Sequence, residues 1–180
     1  MRLLTFLLVL LTAMPAAADL NTPSGAVVLT VTGNIAQTNR GPFVKKRDSF
    51  FGFHERSSTK AAEFDRAMLD DLGTHRATIA YKDWAEPVTF QEPRLADVLK
   101  AMGWNGTKIT TLALDGFGTE IKKADIDARN WTLATRGNGK PFGIGQRGPL
   151  WLVFDPPGDR PATADEEGKW PRAIFLIHAE

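Results

Sequence analysis

Read for its spacing of apolar and polar positions, the chain breaks into short segments. Val27 to Thr32 (VVLTVT) is rich in β-branched residues and predicts a strand, stopped by Gly33-Asn34. Ile35 to Ser58 has no clean period. It carries Gly41-Pro42, the basic cluster Lys45-Lys46-Arg47, and Phe43, Phe50, Phe51 and Phe53. Four phenylalanines on one long loop are poorly suited to water, so the loop is expected to fold back on the core or line a pocket. Ala61, Phe64, Met68 and Leu72 share one helical face and predict a helix over Lys60 to Leu72, with Thr59 as N-cap and Gly73 at its end. Arg94 to Met102 repeats that pattern with Leu95, Val98, Leu99 and Met102.

Strands are predicted at Arg76 to Lys82, Pro87 to Phe90 and Lys108 to Leu114, the last ending at Asp115-Gly116. Thr119 to Ile121 reads as another, followed by one helical turn at Lys123 to Asp127. Trp131 to Thr135 and Pro141 to Ile144 read as a hairpin around Gly137-Asn138-Gly139. Leu150 to Phe154 (LWLVF) is almost wholly apolar and predicts a central, buried strand. A Pro/Gly/acidic loop then leads to a last strand, Ala173 to His178. Short strands with a few interspersed helices define a mixed α+β domain with a mainly antiparallel sheet.

The first eighteen residues read differently. Arg2, the apolar run Leu3 to Ala13, Pro15 and Ala16-Ala17-Ala18 form the pattern of a secretory signal peptide cleaved after Ala18. The run is too short to span a bilayer, which takes about 20 residues. Asp19 to Glu180 is expected to be one exported domain. It holds 21 basic and 21 acidic residues, so charge makes no case for nucleic acid. Cysteine is absent from all 180 residues, which excludes disulfides, thiolate nucleophiles and any cysteine-held metal.

No GxSxG, HExxH or P-loop is present. His75 and His178 fall in predicted strands, where packing explains them, whereas His54 lies in the aromatic loop, where ligand contact is plausible. Asp70-Asp71 and Asp165-Glu166-Glu167 read as solvated acidic surface. Two segments stand out. Leu112 to Gly118 (LALDGFG) delivers Asp115 to the end of a strand, with Phe117 after the turn. Gly145 to Trp151 (GQRGPLW) presents Gln146 and Arg147 just before a buried strand. Carboxylate, guanidinium, amide and aromatic plate are the groups that a flat, nitrogen-rich heterocycle requires. The same residues also fit an ordinary turn and a core tryptophan.

These segments resemble a known family. Thr110 to Asp127 (TTLALDGFGTEIKKADID) resembles the DGY…DL stretch of the sulfite-oxidase-type molybdopterin-binding domain. Gly148 to Val153 resembles its GxPLRLV strand, and Lys169-Trp170-Pro171 leads into a strand as in that family. Pro87 to Phe90 with the helix Leu95 to Met102 is similar to its TF…LL unit. The likeness runs from Val27 to Glu180 and implies that family's fold.

Two departures qualify it. The enzymes hold molybdenum through a cysteine sulfur, and this chain has none. Where catalytic relatives tend to carry arginine stands Trp151, which removes an oxyanion partner and adds a stacking surface. The combination resembles a cysteine-less periplasmic branch that binds a pterin and reports it to a membrane-bound enzyme making or degrading cyclic di-GMP.

For this chain the likeness implies a tetrahydropterin-type ligand and, as partner, the periplasmic domain of such a sensor. It implies no catalytic residue; the missing cysteine and the lack of a later apolar run long enough to span a bilayer give the expectation of no cysteine-ligated molybdenum and no membrane insertion. Asp115 would pair with the pyrimidine edge, Phe117 and Trp151 would stack on the ring, and Gln146 and Arg147 would meet the ring carbonyl or the tail. Asn34 and Asn39 would reach the tail. The alternatives are a molybdopterin-dependent oxidoreductase whose cofactor supplies all metal ligation, and an interaction module without a small ligand.

Overall fold

The computed structural model describes residues 20–158 and 160–180. The expected leader, Met1 to Ala18, lies outside them. In chain order the first half runs β1 (Leu29–Gly33), α1 (Ser49–Phe53), β2 (Ala62–Phe64), α2 (Arg66–Asp70), β3 (His75–Ile79), β4 (Val88–Glu92) and α3 (Leu95–Ala101). The second half runs β5 (Lys108–Ala113), β6 (Gly118–Lys122), α4 (Lys123–Ala128), β7 (Trp131–Ala134), β8 (Arg136–Gly137), β9 (Lys140–Pro141), β10 (Trp151–Phe154), α5 (Ala164–Glu167) and β11 (Ile174–Ala179). The chain is thus a mixed α+β protein with mostly antiparallel pairing and short helices. No helix among the described residues is long and apolar enough to cross a membrane.

The main sheet has the order β2-β1-β11-β5-β6, with only β1 and β11 parallel. Its inner strands are buried on both faces, β11 as the almost wholly apolar run IFLIHA and β1 as LTVTG, with threonines between the apolar residues. One face, through Val31, Ile109 and Ile177, joins the large core that also holds α3, β4, β7 and β10. The other face carries a smaller cluster of Leu112, Phe175 and Leu176, against which Phe51 and Leu114 pack. Beside it, Thr30 pairs with Glu63 on one side and Leu176 on the other. The register of β11 on β5 shifts between Ile174 and Leu176. Such a bulge re-aims side chains, and Phe175 here meets the α1 phenylalanines.

Three sequence expectations are corrected. The helix expected over Lys60 to Leu72 is a strand followed by one short helix. Asp65, not Thr59, is its N-cap, accepting from Met68 N at 2.9 Å. The other Asp65 oxygen takes the N–H groups of Ser24 and Gly25 at 2.8 and 2.6 Å. Upstream, Ala62 and Phe64 bury alternate positions of a strand, so their spacing served two periods at once.

Around Asn138-Gly139, both at positive φ, the expected hairpin exists but joins only β8 to β9. β7 pairs instead with β10, from Trp151↔Ala134 to Phe154↔Trp131. β10 is fully buried as expected, but it lies in a two-stranded sheet rather than at the centre of the large one.

Candidate ligand-binding site

The loop of four phenylalanines does fold back. Phe43 stacks on Phe51 with ring centroids 4.3 Å apart, and Phe50 and Phe51 approach Phe175 at 4.9 and 5.8 Å. Between this loop, the second face of the sheet and the loop 142–149 lies a cavity of about 600 Å³, the size that a small ligand occupies. Phe50 and Phe51 form one wall, with Phe142, Ile144 and Pro149 forming another. Thr30 and Phe175 supply the floor.

One end is charged, through Arg40, Asp48, Glu63 and Arg66. Arg40 is the hub: Nη1 donates to Glu63 Oε1, and Nη2 lies 2.6 Å from Asp48 Oδ2. Its guanidinium carbon also sits 4.7 Å from the Phe43 ring centroid, so one side chain ties the aromatic loop to β2. Burial alone would raise the Asp48 carboxyl. Arg40, the Val44 N–H and Arg47 outweigh it and hold Asp48 down to about 2. Two valences remain at this end. Arg66 Nε is buried without a partner, and Glu63 Oε2 accepts no hydrogen bond from the described residues.

The residues singled out in the sequence do not converge. Asp115 is exposed in the turn after β5 and caps the Phe117 N–H at 3.0 Å. Only its neighbour Leu114 lines the cavity. Phe117 is 67% exposed. His54 bridges that turn to α1: it packs on Phe50, Phe53 and Phe175, and its ring lies within 3.7 Å of where a Gly116 Cβ would stand. Gln146 is exposed at the tip of the other loop, its Oε1 accepting from Gly143 N at 3.4 Å.

Arg147 and Trp151 belong elsewhere. Trp151 is 2% exposed among Trp84, Phe90, Phe142 and Trp170. The Arg147 guanidinium covers it at 4.1 Å and pairs with Glu167. The stacking role expected of Trp151 is therefore corrected: its own protein already occupies the ring's surroundings.

Asn34 is corrected as well. It follows the far end of β1, four residues past Thr30, or about 13 Å along an extended strand, and its N–H is bound by Ala179 O at 2.8 Å. Asn39 acts indirectly. Its amide donates to Asn21 O and Glu63 O and accepts from Glu63 N, which fixes the outer edge of β2 and with it Glu63.

Sequence reasoning missed Arg40, Asp48, Glu63 and Arg66. Glu63 and Arg66 were hidden inside the helix expected over Lys60 to Leu72. Arg40 and Asp48 flank the basic cluster that marked the loop, and their pairing is long-range only through β2. No family model matches the chain, and no curated protein is significantly similar to it.

Proposed function

We propose that this protein binds, without turning over, a flat nitrogen-rich heterocycle of the pterin class in the cavity between α1 and the loop 142–149. In this reading it is exported to the periplasm and reports occupancy to the periplasmic domain of a membrane-bound sensor that makes or degrades cyclic di-GMP. The observation that carries the proposal is the composition of the cavity. Phenylalanine walls suit the two faces of a fused ring. At one end, the Arg66 guanidinium suits a ring carbonyl or ring nitrogen, and the Glu63 carboxylate suits the adjacent ring N–H and exocyclic amine.

The charged groups favour holding over proton transfer. A carboxylate held near 2, as Asp48 is, is a poor general base at neutral pH, and Glu63 is already engaged by Arg40. A cysteine-ligated molybdenum does not fit. The chain has no thiolate, and no cluster of three His, Asp or Glu among the described residues is spaced to hold a metal. Of the sequence-derived residues, Gln146, on the loop beside the cavity wall formed by Phe142, Ile144 and Pro149, is the one proposed to meet a ligand's tail.

The test is to isolate the protein after export, denature it, and examine the released material by fluorescence and mass. A pterin in amounts comparable to the protein is expected. A protein that releases none, and takes up none when tetrahydropterin is added, refutes the reading.

A further inference from the structure

The described residues expose six large hydrophobic side chains: Val27, Val44, Phe50, Phe53, Phe117 and Ile144. Five of the six lie around one mouth. Val27, Phe50 and Ile144 line the cavity. Val44 is tied to the cavity residue Asp48 through its N–H at 2.6 Å. Phe53 shares α1 and packs on His54, whereas Phe117, one residue past the Gly116 that His54 abuts, lines a separate pocket with Ile121, Trp131 and Phe154. Phe53 and Ile144 are each 80% exposed. Scattered apolar residues need no explanation; five of six gathered on one face do.

The same face is basic. Arg40 to Lys60 carries six basic and two acidic residues, a net +4, in a chain whose formal charge is +1. The remainder of the chain is therefore net negative, and the positive charge is concentrated beside the phenylalanines. Lys45, Lys46, Arg47 and Arg56 are exposed there. Of the acidic groups on this face, Asp48 and Glu63 share the single charge of Arg40, and Glu55 and Asp115 stand beside them, fewer than the basic groups around them.

We infer that this face rests reversibly on an anionic phospholipid surface, with Phe53 dipping into the boundary of headgroups and acyl chains and Lys45 and Lys46 meeting lipid phosphates. Residue chemistry selects lipid over protein. Protein interfaces are enriched in aromatic residues, Met and Arg and poor in Lys, and their binding energy concentrates on Trp, Tyr and Arg. Here all five tryptophans and the one tyrosine are buried or half-buried, and the exposed set is Phe, Ile and Val flanked by Lys45, Lys46, Arg47 and Arg56. That is the composition of an interfacial contact, whose strength adds apolar burial to attraction for anionic headgroups. The contact is peripheral, and it does not depend on which ligand fills the cavity.

The experiment is co-sedimentation with vesicles of phosphatidylethanolamine and phosphatidylglycerol, against vesicles of phosphatidylcholine alone. Wild-type protein is compared with Phe53→Ser and with Lys45→Glu/Lys46→Glu. None of these side chains lines the cavity, so thermal unfolding serves as the check on folding. Wild type is expected to sediment with the anionic vesicles and not with the neutral ones, and to be released as salt rises from about 0.05 to 0.5 M. Phe53→Ser should weaken the anionic binding about tenfold, and the double charge reversal should abolish the preference for anionic lipid.

Equal partition to both vesicle types, or variants that bind as wild type does, overturns the inference. So does absence of binding to the anionic vesicles, and cross-linking of this face to an acidic protein would then assign the face to that partner.

Discussion

Asp48→Asn tests how the aromatic wall of the cavity is anchored. The substitution keeps an oxygen for the Val44 N–H and removes the charge that Arg40 holds. In the folded protein the Asp48 carboxyl lies at about 2, against an ordinary 3.8. A difference of nearly two units sets a ceiling of about 2.5 kcal/mol. Only 8% of the side chain is exposed, yet the carboxylate stands at the edge of an open cavity with little protein around it. Solvent screening therefore brings the expected contribution to about 1 kcal/mol.

The sign follows from the direction of the shift. A depressed carboxyl contributes its full stability above the unfolded value and loses it as the pH falls through the folded one. The gap between wild type and Asp48→Asn should therefore be about 1 kcal/mol at neutral pH and close as pH falls from about 4 to about 2. Urea unfolding across that range measures it. Because the anchor is local, amide exchange over residues 43–53 should rise in the variant while that of β5 stays unchanged. A gap that is absent at neutral pH, or that persists undiminished in acid, refutes the role assigned to the Arg40–Asp48 pair.

Phe50→Ala removes one exposed wall of the cavity, so it should weaken pterin binding by about 1–3 kcal/mol and leave unfolding nearly unchanged; unaltered affinity in a fluorescence titration counts against that wall. Arg147→Lys keeps the charge but loses the planar stack over Trp151 and should lower stability by about 1 kcal/mol in thermal unfolding, with no loss of ligand affinity, since Arg147 lies outside the cavity. Burial raises the Glu92 carboxyl, more than Arg136 and Thr135 lower it. Its contribution to stability is thus complete below the unfolded value and lost as pH rises through the folded one. Wild type should gain on Glu92→Gln between neutral pH and about pH 4.5, and a constant difference in urea midpoint would contradict this.

Most strands and the helix α3 were legible because each had a single period and a clear stop. Val98, Leu99 and Met102 could face only one way, and Gly103 ended the run. The segment from Thr59 to Leu72 was not legible. Its apolar spacing satisfied a helix and a strand together, and the deciding bonds come from Ser24 and Gly25, about forty residues away in sequence. The partner of β7 was hidden for a similar reason, since a nearby Asn-Gly turn is a stronger local signal than a distant buried strand.

At the site, the sequence located the aromatic loop and the two loops beside the cavity. It could not see that Arg147 covers Trp151, because a cation over an indole and a ligand over an indole call for the same residues. Nor could it see Arg40 joining Asp48 to Glu63, a contact that exists only once β2 is paired.

The most direct test of the account is equilibrium titration of the protein with tetrahydropterin, with Ala26→Trp as the blocked form. Ala26 is exposed at the cavity wall, so an indole there fills ligand space without disturbing the core. One pterin is expected to bind per wild-type chain and none to the folded Ala26→Trp variant. Wild-type protein that binds no pterin, or a blocked variant that binds as tightly as wild type, would contradict the account.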